Sequence, residues 1–226
     1  MNKTLSRMVK LSIENGTNDE HFLKKNRLGA GAFGLVELCI VQEDKVYAKK
    51  GEKVAIKRMK NVYNMMALKE SKVLQKLDHP HIVRYLDCFN VKGHICIVME
   101  YCDHGTLEEY LTSFVVKPFP EFGIWRLIAQ LSQALAFMHG QQPSVLHNDL
   151  KPANILCKNE PLEGVLGAIV LKIADFGVSS VLGVIRTTVY LVISISISRR
   201  DSLRIVLQSP ACWRSLLSRS GDPLWR

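Results

Sequence analysis

Four side chains that could do chemistry lie close together in the second half of the chain. Asp149, Lys151 and Asn154 fall within six consecutive residues, and Asp175 follows 21 residues after Asn154. An aspartate can accept a proton from an attacking hydroxyl, and an aspartate together with an amide oxygen can coordinate Mg²⁺. Lys151 can offset the charge of a phosphoryl group in transfer. The spacing predicts a magnesium-dependent phosphoryl-transfer site.

A glycine-rich run from Gly29 to Gly34 precedes this segment. Its Gly-x-Gly-x-x-Gly pattern suits a dinucleotide site, a cover over phosphate groups or a tight turn alone. The dinucleotide version opens a helix, whereas residues 35–41 are β-prone and partly alternating. We therefore interpret the run as a glycine hairpin, whose backbone N–H groups can close over phosphate oxygens.

Two further charged residues lie between the glycine run and the acidic segment. Lys57 follows Gly34 by 23 residues and ends the run Val-Ala-Ile-Lys, whose neighbours favour a strand. A lysine held in one orientation on a strand can reach a phosphate, although alone it could equally be a solvated surface residue. Glu70 lies on the helix that follows, where it could pair with Lys57 or simply face solvent.

The hydrophobic pattern predicts the elements that position these residues. A Lys92-Gly93 turn joins the last two strands, and Gly140 ends the last helix. The front half is predicted to be β-rich with one helix, and the back half to be helical. The predicted strands are 35–41, 54–59, 82–89 and 94–101, and the predicted helices are 61–77, 106–114 and 122–139.

Composition indicates an ordinary globular protein. Of 226 residues, 47% are hydrophobic and 23% are charged. The net charge of +9 invites a nucleic-acid interpretation, but residues 184–226 supply +5 of it through seven arginines and two aspartates. The charge therefore reflects a basic tail, and we expect no nucleic-acid partner.

The cysteines and the apolar runs indicate the cellular compartment in which we expect the protein. The six cysteines form no Cys-x-x-Cys pair and have no histidine at metal spacing, which fits a reducing compartment. The start of the chain has no apolar run suited to a signal peptide. The apolar stretch 189–197 is shorter than the roughly 20 residues that span a bilayer. We expect a soluble protein without a membrane partner, located in the cytoplasm, with the nucleus as an open alternative.

The motifs occur in one fixed order: the glycine hairpin, the Val-Ala-Ile-Lys strand, a His-x-Asp-x-Lys-Pro-x-x-Asn loop and Asp-Phe-Gly. In this order the chain resembles a eukaryotic protein kinase domain over residues 22–183. The resemblance implies an α+β, bilobal protein-kinase-like fold with a β-rich N-lobe carrying one helix and an incomplete helical C-lobe. Lys151 and Pro152 resemble the serine/threonine class, and segments 79–85 and 175–180 suggest NIMA-related or MAP-kinase-cascade relatives.

The resemblance also implies a role for each candidate residue, with ATP and Mg²⁺ as cofactors and a protein serine or threonine as the acceptor. Asp149 would be the catalytic base, assisted by Lys151 and Asn154, and Asn154 and Asp175 would hold the metal. Met99 would be the gatekeeper, and residues 100–102 the hinge that bonds the purine edge. The residues implied in nucleotide binding are Leu28, Gly29, Gly31, Gly34, Val36, Ala55, Lys57, Glu70, Met99, Glu100, Cys102 and Leu156.

The resemblance divides the chain into a polar leader (1–21), an N-lobe (22–101), a partial C-lobe (102–183) and an atypical basic tail (184–226). Asn148 stands where many kinases carry an arginine that meets a phosphorylated activation loop. The Gly-Thr-x-Tyr and Ala-Pro-Glu elements expected after residue 188 are absent from the sequence. We therefore expect the C-lobe to be incomplete and folding to be marginal.

Three hypotheses follow for the function. The first is an active protein serine/threonine kinase. The second is a truncated pseudokinase or decoy that binds nucleotide without transferring phosphate. The third is a frame-shifted or intron-derived product without a stable fold. A small-molecule kinase is a more distant fourth, disfavoured by the Asp-x-Lys-Pro-x-x-Asn loop.

Overall fold

The computed structural model describes residues 18–31, 34–112, 121–162, 165–182, 192–197 and 203–208. The leader before Asn18, the tail after Gln208 and the expected activation-segment residues 183–191 lie outside these ranges. The chain divides into two compact units: the first contains residues up to Asp103 together with Asp175–Val178, and the second contains His104–Ala174 and the residues from Ser179 onward.

The first unit is built on a five-stranded antiparallel sheet with the strand order β1-β2-β3-β5-β4. The two-residue turn Lys92-Gly93 joins the last two strands, as predicted. Strand β4 begins at Tyr85 and not at Ile82, because a turn bond from Ile82 N to His79 O follows Pro80. The strands are β1 (Phe22–Ala30), β2 (Gly34–Val41), β3 (Lys53–Met59), β4 (Tyr85–Val91) and β5 (His94–Glu100).

An apolar cluster covers part of one face of this sheet. The Phe22 and Phe89 rings stack within it at 5.5 Å between centroids. Tyr47 and Ala48, from the connection between β2 and β3, pack against the strand residues. Each large side chain removed from water here contributes about 1.5–3 kcal/mol. The buried members are Phe22, Cys39, Val41, Ala48, Val54, Ile56, Phe89, Cys96 and Val98.

Among the described residues of the first unit, one α-helix is present, α1 (Asn64–Leu74), which is shorter than the predicted 61–77. Asn61–Tyr63 forms a 3-10 turn before it. After it, Lys76 and Leu77 bond the carbonyls three residues earlier, which tightens the last turn. The helix buries an apolar stripe together with the carboxylate of Glu70.

The second unit contains the predicted helices α2 (Leu107–Thr112) and α3 (Glu121–His139). Thr106 and Glu109 bond each other's backbone N–H groups at 3.2 and 2.8 Å, a capping box that fixes the start of α2. Helix α3 buries one stripe and ends where Gly140 N bonds Ala136 O, as predicted. The stripe consists of Leu127, Leu131, Ala134, Leu135 and Met138.

The second unit also contains strands that the sequence analysis did not predict. β6 (Ser144–Leu146) pairs with β9 (Ser180–Leu182), and β7 (Ile155–Leu162) pairs with β8 (Val165–Ile173). Gln130 of α3 fastens β8 by donating to Ile169 O at 3.2 Å and accepting from Leu171 N at 2.7 Å. The back half of the chain therefore contains β-strands as well as the predicted helices.

Two strands lie beyond residue 190. β10 (Val192–Ile197) pairs antiparallel with β11 (Leu203–Gln208). β10 lies within the apolar stretch 189–197. Within the described ranges, no helix has both the length and the apolar character needed to cross a bilayer.

Candidate active site

Strand pairing brings four of the candidate nucleotide-binding residues to one face of the first unit's sheet. Val36 lies opposite Lys57, and Ala55 lies opposite Met99. Directly paired residues share a face, and so do residues two apart on one strand, such as Ala55 and Lys57. Val36, Ala55, Lys57 and Met99 therefore form one surface, which we call the lysine face.

Lys57 is the centre of an ion-pair network on the lysine face. Its Nζ lies 2.8 Å from both carboxylate oxygens of Glu70 and 2.8 Å from Oδ1 of Asp175. The Glu70 side chain is 1% exposed, that of Lys57 11% and that of Asp175 42%. Helix α1 thus delivers a buried carboxylate and the Asp-Phe-Gly segment delivers a partly exposed one to a single ammonium group.

The electrostatics of this network follow from burial and charge. Burial alone would lower the pKa of Lys57, but the carboxylates of Glu70 and Asp175 raise that pKa above its ordinary value. Burial raises the pKa of Glu70 above its ordinary value. The Lys57 ammonium and a hydrogen bond from the Phe176 backbone lower this pKa, but they do not cancel the effect of burial. Lys57 is therefore a fixed cation at neutral pH.

Asp175 has a backbone φ of +62°, in the left-handed region that non-glycine residues seldom adopt. The ion pair with Lys57 is one interaction that holds it there. Its carboxylate keeps a substantial exposed fraction. The arrangement directs one carboxylate oxygen to the lysine and leaves the group accessible to solvent.

Gly29 lies near the end of β1 and Gly34 begins β2, and Gly31 N bonds Gly34 O at 2.9 Å. A Cβ at Gly34 would lie 2.2 Å from Arg58 O, so only glycine fits against the backbone of β3. A Cβ at Gly29 or Gly31 would meet no atom within 4 Å. The third glycine is thus required by the sheet, while the first two are spatially free to serve another purpose.

Replacing Gly34 by alanine should lower the free energy of unfolding by about 1–3 kcal/mol, because the added methyl must push β2 away from β3. Gly29→Ala is the matched control and should change stability by less than about 0.5 kcal/mol. Urea unfolding of the two variants measures both effects. Equal losses in the two variants would contradict this account of Gly34.

The segment predicted as the hinge follows the lysine face. Met99, Glu100 and Cys102 are each less than a tenth exposed. Glu100 is fixed by Arg84, whose backbone N–H donates to its carboxylate at 2.8 Å and whose carbonyl accepts from Glu100 N at 3.0 Å. Leu28, by contrast, is 45% exposed at the end of β1.

The candidate catalytic residues of the second unit form one hydrogen-bonded cluster. Oδ2 of Asp149 accepts from Lys151 Nζ at 2.8 Å and from Asn154 Nδ2 at 2.9 Å. Asn154 Nδ2 also donates to the Asp149 carbonyl at 2.9 Å. Both amide hydrogens of Asn154 are thereby used, which orients its oxygen away from Asp149. Among the described residues, no hydrogen bond reaches Oδ1 of Asp149.

His147, the histidine of the His-x-Asp motif, positions the loop that carries Asp149, and the kinase resemblance implies it as a member of the spine. Its side chain is buried, with Nε2 at 2.8 Å from Ala174 O and Nδ1 at 3.4 Å from Asp149 N. Asn154 O also accepts from Ala174 N at 2.9 Å. The loop carrying Asp149 is therefore tied to the end of β8 at two points.

Two other residues of this unit complete the candidate set. Leu156 lies on β7, is partly exposed and bridges to Thr106. Asn148, which stands where an arginine was expected, has a φ of +66° and donates to Ser180 Oγ at 3.0 Å. The asparagine thus links the catalytic-loop segment to β9 without any added charge.

Comparison with known proteins identifies the family to which the chain belongs. Residues 22–193 match the protein kinase domain family. Because the match covers more than half of the chain, the chain belongs to the protein kinase family, and its fold is the α+β protein kinase fold.

Curated proteins similar to this chain include serine/threonine-protein kinases. It is 32% identical over 170 residues to MAP3K epsilon protein kinase 1 of Brassica napus, covering 73% of this chain and 12% of the relative. It is 33% identical over 177 residues to the serine/threonine-protein kinase nekl-2 of Caenorhabditis elegans, covering 73% and 46%. It is 34% identical over 169 residues to the human serine/threonine-protein kinase Nek11, covering 71% and 24%. The chain thus spans less than half of the length of each, and NIMA-related and MAP-kinase-cascade kinases are among its relatives, as expected.

Proposed function

We propose that this chain transfers the terminal phosphoryl group of ATP to a serine or threonine hydroxyl of a protein, with Mg²⁺ as cofactor. The observation that carries the proposal is the Lys57 ammonium, held at 2.8 Å by Glu70 and Asp175 on the lysine face. A buried, oriented cation of this kind suits the negatively charged oxygens of a nucleotide phosphate. The backbone of the Gly29–Gly31 segment would lie over those phosphates.

Asn154 and Asp175 each have the chemistry of a magnesium ligand. Asn154 has committed both amide hydrogens to Asp149, so its oxygen is oriented as a ligand. Asp175 keeps its carboxylate 42% exposed while it contacts Lys57. These two side chains would supply oxygen ligands, and the bound ion would neutralise charge on the phosphate groups.

Asp149 and Lys151 would act on the serine or threonine hydroxyl that accepts the phosphoryl group. Oδ2 of Asp149 is occupied by Lys151 and Asn154, so Oδ1 would accept the hydrogen of the incoming hydroxyl. The Lys151 ammonium would stabilise negative charge on the transferring group. His147 would hold the Asp149 backbone in place. Val36, Ala55 and Met99 would contact the adenine, with Leu156 and the hinge completing its surroundings.

The test is transfer of label from radiolabelled Mg·ATP to a generic basic protein, followed by phosphoamino-acid analysis. Labelled phosphoserine or phosphothreonine is the expected product. A thermal melt with nucleotide at about 100 times its dissociation constant should accompany it, since that ligand excess stabilises the folded chain by about 2.7 kcal/mol. A nucleotide-dependent shift without transfer would overturn the kinase assignment in favour of a nucleotide-binding decoy. A melt without a cooperative transition would indicate a chain that does not fold stably.

A further inference from the structure

The face of the first unit's sheet opposite to Lys57 contains a groove beside the apolar cluster. Leu35 pairs with Arg58 and Val36 pairs with Lys57, so these two pairs point to opposite sides of the sheet. Leu35 and Arg58 line the groove, whose volume is about 650 Å³. We call it the outer groove. It lies across the sheet from the lysine face, and it shares Gly31 and Gly34 with the candidate nucleotide-binding residues.

The outer groove is strongly basic. Five of its thirteen lining residues are lysine or arginine and one is acidic. Asp19 and the neighbouring Glu37 are already engaged: Asp19 lies 2.5 Å from Arg58 and 3.6 Å from Lys24, and Glu37 also contacts both bases. Within the described part of the chain, Arg27 and Lys92 form no ion pair. The basic residues are Lys24, Arg27, Arg58, Lys60 and Lys92.

The rim of the groove around Lys92 is held rigidly. Lys92 occupies a left-handed conformation with φ of +48°, and Gly93 N bonds Asn90 Oδ1 at 3.0 Å. Asn64, at the start of α1, donates to Gly93 O at 2.6 Å and accepts from Ile95 N at 3.1 Å. The turn that carries Lys92 is therefore fastened to α1. A charge fixed in this way loses less entropy when it binds a partner than a mobile surface lysine would.

We propose that the outer groove binds a phosphorylated peptide segment of a partner protein. A phosphate group carries nearly two negative charges and three acceptor oxygens, which matches several converging basic donors. Leu35 and Val91 also line the groove and provide apolar contact for a neighbouring side chain. The lining contains no phenylalanine, tyrosine or tryptophan, the rings that most often stack on bases, which favours a phosphopeptide over single-stranded nucleic acid.

The test uses the full chain and a fluorescein-labelled peptide library with a fixed central phosphoserine and flanking positions randomised among Leu, Glu and Ala. The same library with serine is the reference, and fluorescence anisotropy measures affinity. The phosphorylated library should bind about tenfold more tightly than the serine library. The double variant Lys60→Glu/Lys92→Glu should remove most of that preference.

A matched control separates the groove from general charge. Lys69 and Lys76 are exposed lysines of α1 and the turn after it, outside the groove lining. Lys69→Glu/Lys76→Glu changes the net charge equally and should leave the phosphate preference intact. Arg27→Ala provides a second groove variant if the first lowers the melting temperature. Equal binding of both libraries, equal losses in groove and control variants, or displacement of the peptide by lower concentrations of single-stranded RNA would each overturn the proposal.

Discussion

Replacing Asp149 by asparagine should reduce the rate of phosphate transfer by about 10²–10⁴-fold, the contribution typical of a positioned general base. The asparagine oxygen can still accept the hydrogen bonds that Lys151 and Asn154 donate to Oδ2. The variant should therefore fold as the parent does and still bind nucleotide. Its loss should appear in kcat, measured in the radiolabelled transfer assay, with little change in the melting temperature.

Asp78→Asn is the matched control, because Asp78 is an exposed aspartate after α1. It removes the same charge and should leave the rate unchanged. Retention of the full rate in Asp149→Asn would contradict the role assigned to Asp149. An equal loss in the Asp78 variant would trace the effect to net charge.

Replacing Lys57 by methionine should lower the free energy of unfolding by about 3–5 kcal/mol and abolish nucleotide binding. The stability loss arises because Glu70, 1% exposed, would keep a buried carboxylate without its cation. The binding loss arises because the ammonium proposed to meet the phosphates is gone. Urea unfolding and the nucleotide-dependent melting shift measure the two effects separately.

A double variant distinguishes the structural effect from the binding effect. Lys57→Met/Glu70→Leu removes both buried charges and should recover much of the lost stability. Nucleotide binding should stay absent, since the cation is still missing. Lys69 is exposed on α1, the helix that carries Glu70, and Lys69→Met should change neither the stability nor the nucleotide binding. Nucleotide binding by the stable double variant would contradict the role of Lys57.

The parts of the site that local sequence could predict are those set by short-range geometry. Asp149, Lys151 and Asn154 fall within one six-residue segment, so their proximity follows from chain connectivity. Lys57 and Glu70 lie on consecutive elements, a strand and the helix after it, and the structure places them in contact at 2.8 Å. Helix α3 was also predicted, because its long apolar periodicity specifies a buried stripe.

The parts that local sequence could not predict depend on contacts between distant segments. β6 and β9 have three residues each, and their pairing joins segments more than 30 residues apart. The early end of α1 reflects a change in turn geometry that its apolar pattern does not encode. The outer groove draws its charges from β1, β3, the residue after it and the β4–β5 turn, so no sequence window contains it. These features can be predicted only once the order and pairing of the strands are known.

The hydrogen bond from Asn148 to Ser180 has a consequence for control of the chain. Neither an amide nor a serine hydroxyl ionises between about pH 4 and 10, and two neutral groups are little affected by salt. An arginine bound to a phosphate would need an upstream enzyme to install the phosphate and would lose its anchor to a phosphatase. Here the start of β9 is held by a hydrogen bond between two neutral side chains, which requires no phosphate to form.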